Sequence, residues 1–561
     1  MKFGLASSSI PLVFAAASAI KSDPSPIVDL GYAVFLGNTT TPTGILGGSV
    51  IFFGGIPYAQ PPVGDLRWRA PQPLNETTPA IPVNVTDARN FAEPCIQQPA
   101  AAGVGSEDCL RLNVWMPANA TRSSKLPVAF YIHGGGFFAG TPQAYPLYDW
   151  VAQNPGIVGV SVSYRLNALG YLTGPGIAAG GDYNVGLLDQ RAALEWVQRH
   201  IPEFGGDPDE VTIIGESAGG ASVIMQITAF GGSQPAPFKR AVPQSIGYGP
   251  SLRAVSFGAN AQFKNFTVSV GCSAGLDPTA AMVCLRNASL DQVILGINSQ
   301  PQGAFSPVFG DRFMPELPSD LFRAGRFSPV EYMAGHCTND GRTFVGGSPR
   351  DFVTDTDIVS RVFSRWPGVT NATIERVFDF YPPANVLGSP FPREYDLGSV
   401  IAGDVVFTCM DKFIADHMVA KGVKKVFTFR WNTPNPVLLA SAPYRGTMHT
   451  SDIYFLFDGE TLSYTAPNAG FTFEPFNASE ARLSSEAIAF WTSFVTSQDP
   501  SVERLVGTPS WPTYTSQSRS RMVFSLGNAL ASASVVEQID EFETSRCAFW
   551  FQKKVTEQTT V

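Results

Sequence analysis

Short apolar runs recur along the chain at residues 128–132, 157–163, 211–214, 241–242, 330–333 and 426–429. Segments with helical periodicity lie between several of them. The clearest covers residues 187–200, opening near Asn184 and stopping before Pro202. Apolar strands alternating with helices predict a mostly parallel sheet covered on both faces. Neither internal repeats nor a long low-complexity linker interrupts the pattern. The Pro/Gly-rich stretches read as surface loops on one domain spanning residues 20–561.

The run at 211–214 leads directly into Gly215-Glu216-Ser217-Ala218-Gly219-Gly220, a G-x-S-x-G pattern. The small residues after it open a helix-like segment, Ala221-Ser222-Val223-Ile224-Met225-Gln226. Strand, sharp turn and helix is the setting in which this motif holds a serine hydroxyl up at a strand end. Glycines are needed there because the turn leaves no room for side chains. Without that setting the pattern is common by chance; with it, Ser217 is a candidate nucleophile.

Composition adds compartment and limits partners. The chain has 561 residues, 44% hydrophobic and 15% charged, enough for a large core with insertions. Its 41 Phe serve that core or a greasy acyl site. A net charge of −9 and a pI near 5.2 argue against nucleic acid, which selects basic faces. Lys2, the apolar stretch 10–17 and Ala17-Ser18-Ala19 read as a secretory signal peptide over residues 1–19. That stretch is too short for an anchor, and no later uncharged span has bilayer length. Eight N-x-S/T sequons start at Asn38, Asn75, Asn84, Asn119, Asn265, Asn287, Asn371 and Asn477, so a secreted glycoprotein is expected. Seven cysteines in an oxidising compartment should mostly pair. Their spacings give no Cys/His zinc pattern, and no metal or cofactor is expected.

A serine hydroxyl needs a base, and the chain has five histidines. His133 precedes a glycine run on a strand end. His200 closes a helix, His417 lies within the helical pattern 410–420, and His336 sits on a strand end. His449 lies in Tyr444-Arg445-Gly446-Thr447-Met448-His449-Thr450, a late loop after a strand, which suits a base. The acid should fall between serine and histidine in the chain. Asp340 offers itself at the turn after the run 330–333, although Asp-Gly is also an ordinary turn signal. His133-Gly134-Gly135-Gly136-Phe137 brings backbone N–H groups close to a substrate. Gly135, Gly136 and Ala218 form a candidate oxyanion hole.

These segments together resemble the type-B carboxylesterase/lipase group of α/β-hydrolases, which includes cholinesterases and fungal lipases. The resemblance also rests on Phe53-Gly54-Gly55-Ile56-Pro57-Tyr58-Ala59-Gln60-Pro61-Pro62-Val63-Gly64 and on Ser106-Glu107-Asp108-Cys109-Leu110-Arg111-Leu112-Asn113-Val114. Ser163-Tyr164-Arg165 and Asn184-Val185-Gly186-Leu187-Leu188-Asp189-Gln190 extend it over nearly the whole mature chain. It implies an α/β-hydrolase fold and a triad of Ser217, His449 and Asp340, the acid being glutamate in most of the family. It implies disulfides Cys95–Cys109, Cys272–Cys284 and Cys409–Cys547, with Cys337 left over. Glu107 with a nearby arginine, and Arg165 with Asp189, match the family's structural ion pairs. The activity implied is hydrolysis of a carboxylic ester outside the cell. Loop 96–108 has no aromatic residue to bind a quaternary ammonium, which argues against choline esters. The same loop is short and poor in large apolar residues, which favours a carboxylesterase over a lipase or sterol esterase working on aggregated lipid. A non-catalytic adhesion-type relative is the remote alternative, opposed by the complete set of site residues.

Overall fold

The computed structural model describes residues 26–41, 48–77, 84–101, 103–460 and 473–561. The signal peptide expected over residues 1–19 lies outside them. Eleven strands form one sheet. The first three are β1 (Asn38–Thr40), β2 (Val50–Pro57) and β3 (Arg111–Pro117). Next come β4 (Leu126–Ile132), β5 (Val158–Val162), β6 (Gly206–Glu216) and β7 (Arg240–Gln244). The last are β8 (Glu331–Cys337), β9 (Val426–Trp431), β10 (Ser520–Phe524) and β11 (Val535–Gln538).

Their spatial order is β11-β10-β9-β8-β7-β6-β4-β5-β3-β2-β1. Strands β4 to β10 are all parallel, and the pairs toward both edges are antiparallel. Along β4, Val128, Phe130 and Ile132 enter one buried cluster while Ala129 and Tyr131 enter another. Both faces are therefore covered, which is why the central strands read as unbroken apolar runs. This is the α/β-hydrolase fold.

Helix α1 (Val185–His200) starts after Asn184, whose φ of 53° ends the preceding loop in the left-handed region. Strand β2 carries Gly54-Gly55, and its register with β3 shifts between Phe53 and Ile56. The apolar run Val50-Ile51-Phe52-Phe53 precedes that irregularity, and it is not among the strands expected from the sequence. The three disulfides are Cys95–Cys109, Cys272–Cys284 and Cys409–Cys547, with Cys337 free and buried. The ion pairs are Arg67 with Glu107 at 2.6 Å and buried Arg165 with Asp189 at 2.6 Å. All eight sequon asparagines are exposed. Among the described residues no single helix is long and apolar enough to cross a membrane, and no cluster suits a metal.

Candidate active site

Because β4, β6 and β8 are parallel, the segments leaving them emerge on one edge of the sheet. Open α/β sheets build ligand crevices outside the carboxyl ends of their strands. The glycine run follows β4, Ser217 follows β6, and Asp340 follows β8.

Ser217 sits between β6 and helix α2 (Ala218–Thr228), with φ 57° and ψ −120°. Such a conformation costs about 1–3 kcal/mol and persists only where the surroundings enforce it. Here they do: the Ser217 N–H donates to the Gln244 carbonyl at 3.0 Å, and the Gly247 N–H donates to the Ser217 carbonyl at 3.0 Å. A Cβ on Gly219 would run into the carbonyl oxygen of Ile132, so the motif's last glycine is sterically required.

The Ser217 hydroxyl lies 2.8 Å from His449 Nε2. His449 Nδ1 lies 2.7 Å from Asp340 Oδ1. The other carboxylate oxygen, Oδ2, accepts from the Cys337 N–H at 2.8 Å and from the Ser245 hydroxyl at 3.0 Å. Two bonds join the acid and base loops: the Asn339 N–H donates to the Thr447 carbonyl, and the Thr447 N–H donates to Asn339 Oδ1. This tie brings the shorter aspartate within reach of the ring.

The glycine run abuts the serine, since a Cβ on Gly134 would lie 3.2 Å from Ser217 Cβ. Gly135 has φ 106°, and a Cβ there would strike the Ala139 carbonyl. The N–H groups of Gly135, Gly136 and Ala218 bind no backbone acceptor among the described residues. They are free to serve a developing oxyanion.

The other four histidines are engaged elsewhere. His133 stacks on Tyr164 at 4.4 Å, and burial holds it neutral, down at about 4. His200 pairs with Glu76 at 3.1 Å, and His417 Nδ1 sits 2.7 Å from the Phe413 carbonyl. His336 faces away from Cys337 on β8, and its Nδ1 pairs with buried Asp411 at 2.8 Å.

Sequence reasoning passed over Glu216, whose only signal is its place inside the serine motif. It is fully buried, with Oε1 3.3 Å from His449 Nε2. Burial pushes its carboxyl well above the ordinary range, partly offset by His449. Burial also disfavours the His449 imidazolium, yet the Glu216 charge and then Asp340 outweigh it and raise His449. An ionised Glu216 thus favours the imidazolium, the form of His449 that cannot accept from Ser217. Glu216→Gln removes the carboxylate that favours the imidazolium. The acidic limb of kcat/KM against pH is expected to move to lower pH in that variant; a limb left in place or moved upward would contradict the coupling.

The chain matches the carboxylesterase family model over residues 24–550.

The chain belongs to the carboxylesterase family.

It is 29% identical to Lipase 1 of Geotrichum candidum, over 92% of this chain and 96% of the relative. A secreted lipase of Arthroderma benhamiae is 30% identical, with 83% of each chain covered. The crystal structure of Aspergillus niger EstA superposes with a TM-score of 0.80 at 28% identity, covering 96% of this carboxylesterase and 99% of EstA. The protein is therefore a serine carboxylic ester hydrolase. An enzyme of this class takes ester substrates, and the adhesion-type alternative falls away.

Proposed function

We propose that Ser217 is the nucleophile, His449 the base and Asp340 the acid of an acyl-enzyme esterase. The observation that carries this reading is the unbroken hydrogen-bonded chain from Ser217 Oγ through His449 to Asp340. His449 takes the Ser217 proton as Oγ attacks the ester carbonyl, then returns it to the departing alcohol. Gly135, Gly136 and Ala218 donate to the oxyanion of each tetrahedral intermediate. A water deprotonated by His449 completes hydrolysis. The domain is the single unit 20–561, made as a secreted glycoprotein; the disulfides, the exposed sequons and the secreted relative support this placement.

The preferred substrates are dissolved esters rather than aggregated lipid. The first disulfide loop is stitched to the segment after residue 296. Gln98 Nε2 donates to the carbonyls of Ile297 and Gln300 at 2.9 and 3.0 Å. Asn298 exchanges two hydrogen bonds with the Ala100 backbone, both 2.8 Å. Loop 96–108 is also short and carries no aromatic residue, so it offers little apolar surface to meet a lipid aggregate. Relatives named as lipases favour the second reading, action on aggregated lipid. A panel of acetyl, butyryl, long-chain, steryl and feruloyl esters tests the choice. Turnover is expected below each substrate's solubility limit, and activity appearing only above it would favour the lipase reading.

A further inference from the structure

Helix α3 (Glu394–Gly403) and helix α4 (Cys409–Ala420) are one continuous rod broken by a single π turn, Asp404–Thr408. Such turns lose helical regularity and recur where a side chain must be re-aimed at a functional site. Here the turn touches both ends of the acid–base pair. Just before it, Gly403 packs so tightly on Gly341, the neighbour of Asp340, that a Cβ on Gly341 would lie 2.5 Å from Gly403 N. Within it, Phe407 lays its ring 4.7 Å from the His449 ring, tilted by 39°. Phe344 closes on His449 at 5.1 Å, edge to face, and packs on Phe407 at 5.0 Å.

The turn is itself anchored. Buried Asp404 accepts from the Tyr381 hydroxyl and from Arg546 Nε, each at 2.7 Å. The Cys409–Cys547 disulfide fixes the first residue after the turn.

We infer that the Asp404–Thr408 π turn is a positioning device for the base, with Phe407 its working residue. The inference rests on the assignment of His449 proposed above. Asp340 fixes one nitrogen of the imidazole, but the bond from the other nitrogen to Ser217 is given up as Oγ attacks the ester. Phe407 and Phe344 supply the missing restraint by packing on the ring, so that Nε2 stays aimed at Ser217 while the proton moves. Phe407 packs on the His449 ring and acts through it.

The test compares wild type, Phe407→Ala and Phe407→Leu with a soluble p-nitrophenyl ester. Active sites are counted by the p-nitrophenolate released as diethyl p-nitrophenyl phosphate phosphorylates the serine. Misplacement of a catalytic group by about 1 Å costs about a hundredfold, so kcat per titrated site should fall about that far in Phe407→Ala with KM little changed. Phe407→Leu, which keeps apolar bulk against the ring, should recover most of the loss. A merely structural role would lower the number of titratable sites and leave kcat per site intact; that result overturns the inference. If wild type releases no stoichiometric p-nitrophenolate, the assignment of the site falls first and the inference with it.

Discussion

Ser217→Ala is expected to fold normally and to lose about a millionfold in kcat, the scale seen when the nucleophile of a serine triad is removed. That corresponds to about 8 kcal/mol of transition-state stabilisation. The loss is confined to chemistry because Ser217 contributes little else through its side chain. The elbow is held by backbone bonds from Ser217 N–H and Gly247 N–H, which alanine keeps. The glycine run and Ala218 remain, so a residual rate above that of water is expected. Stopped-flow and long-time assays with p-nitrophenyl acetate measure it. Turnover within tenfold of wild type would remove Ser217 from the mechanism.

Asp340→Asn should cost about ten-thousandfold in kcat through loss of the correct imidazole tautomer. The carboxylate accepts at both oxygens, from the ring on Oδ1 and from Ser245 and Cys337 on Oδ2. An asparagine can keep only one side as acceptor, and its NH2 must then face a donor. If Oδ1 keeps the ring, the NH2 faces the Cys337 N–H, which loses its acceptor. If the amide flips, the His449 proton moves to Nε2 and the base can no longer accept from Ser217. Near-normal turnover would mean that another carboxylate orients the ring. Asp452 is poorly placed for that, being occupied by Gln244 at 2.7 Å and by the Cys337 thiol.

The nucleophile was legible because its chemistry needs a local pattern, strand then glycine-rich elbow then helix, that here spans only residues 211–226. His449 was legible by elimination, since the other four histidines precede a glycine run, close a helix, lie within a helical pattern and sit on a strand end. Asp340 was harder, because an Asp-Gly turn looks the same whether or not a ring faces it. What no local pattern could reveal is the set of contacts made across the fold. Glu216 reaches His449 only once β6 and the late loop share one edge of the sheet. Phe407 reaches it from within the π turn, and nothing in the residues 404–408 marks that turn.

The most direct measurement is to inactivate the enzyme with diethyl p-nitrophenyl phosphate and locate the adduct by peptide mass spectrometry. Attack by Ser217 Oγ on phosphorus expels p-nitrophenolate and leaves a diethyl phosphoserine that a water attacks only slowly. The expected result is one phosphoryl group per chain, on the peptide containing Ser217, appearing in step with loss of esterase activity. An adduct on any other residue, or full labelling of Ser217 with esterase activity retained, would contradict Ser217 as the nucleophile.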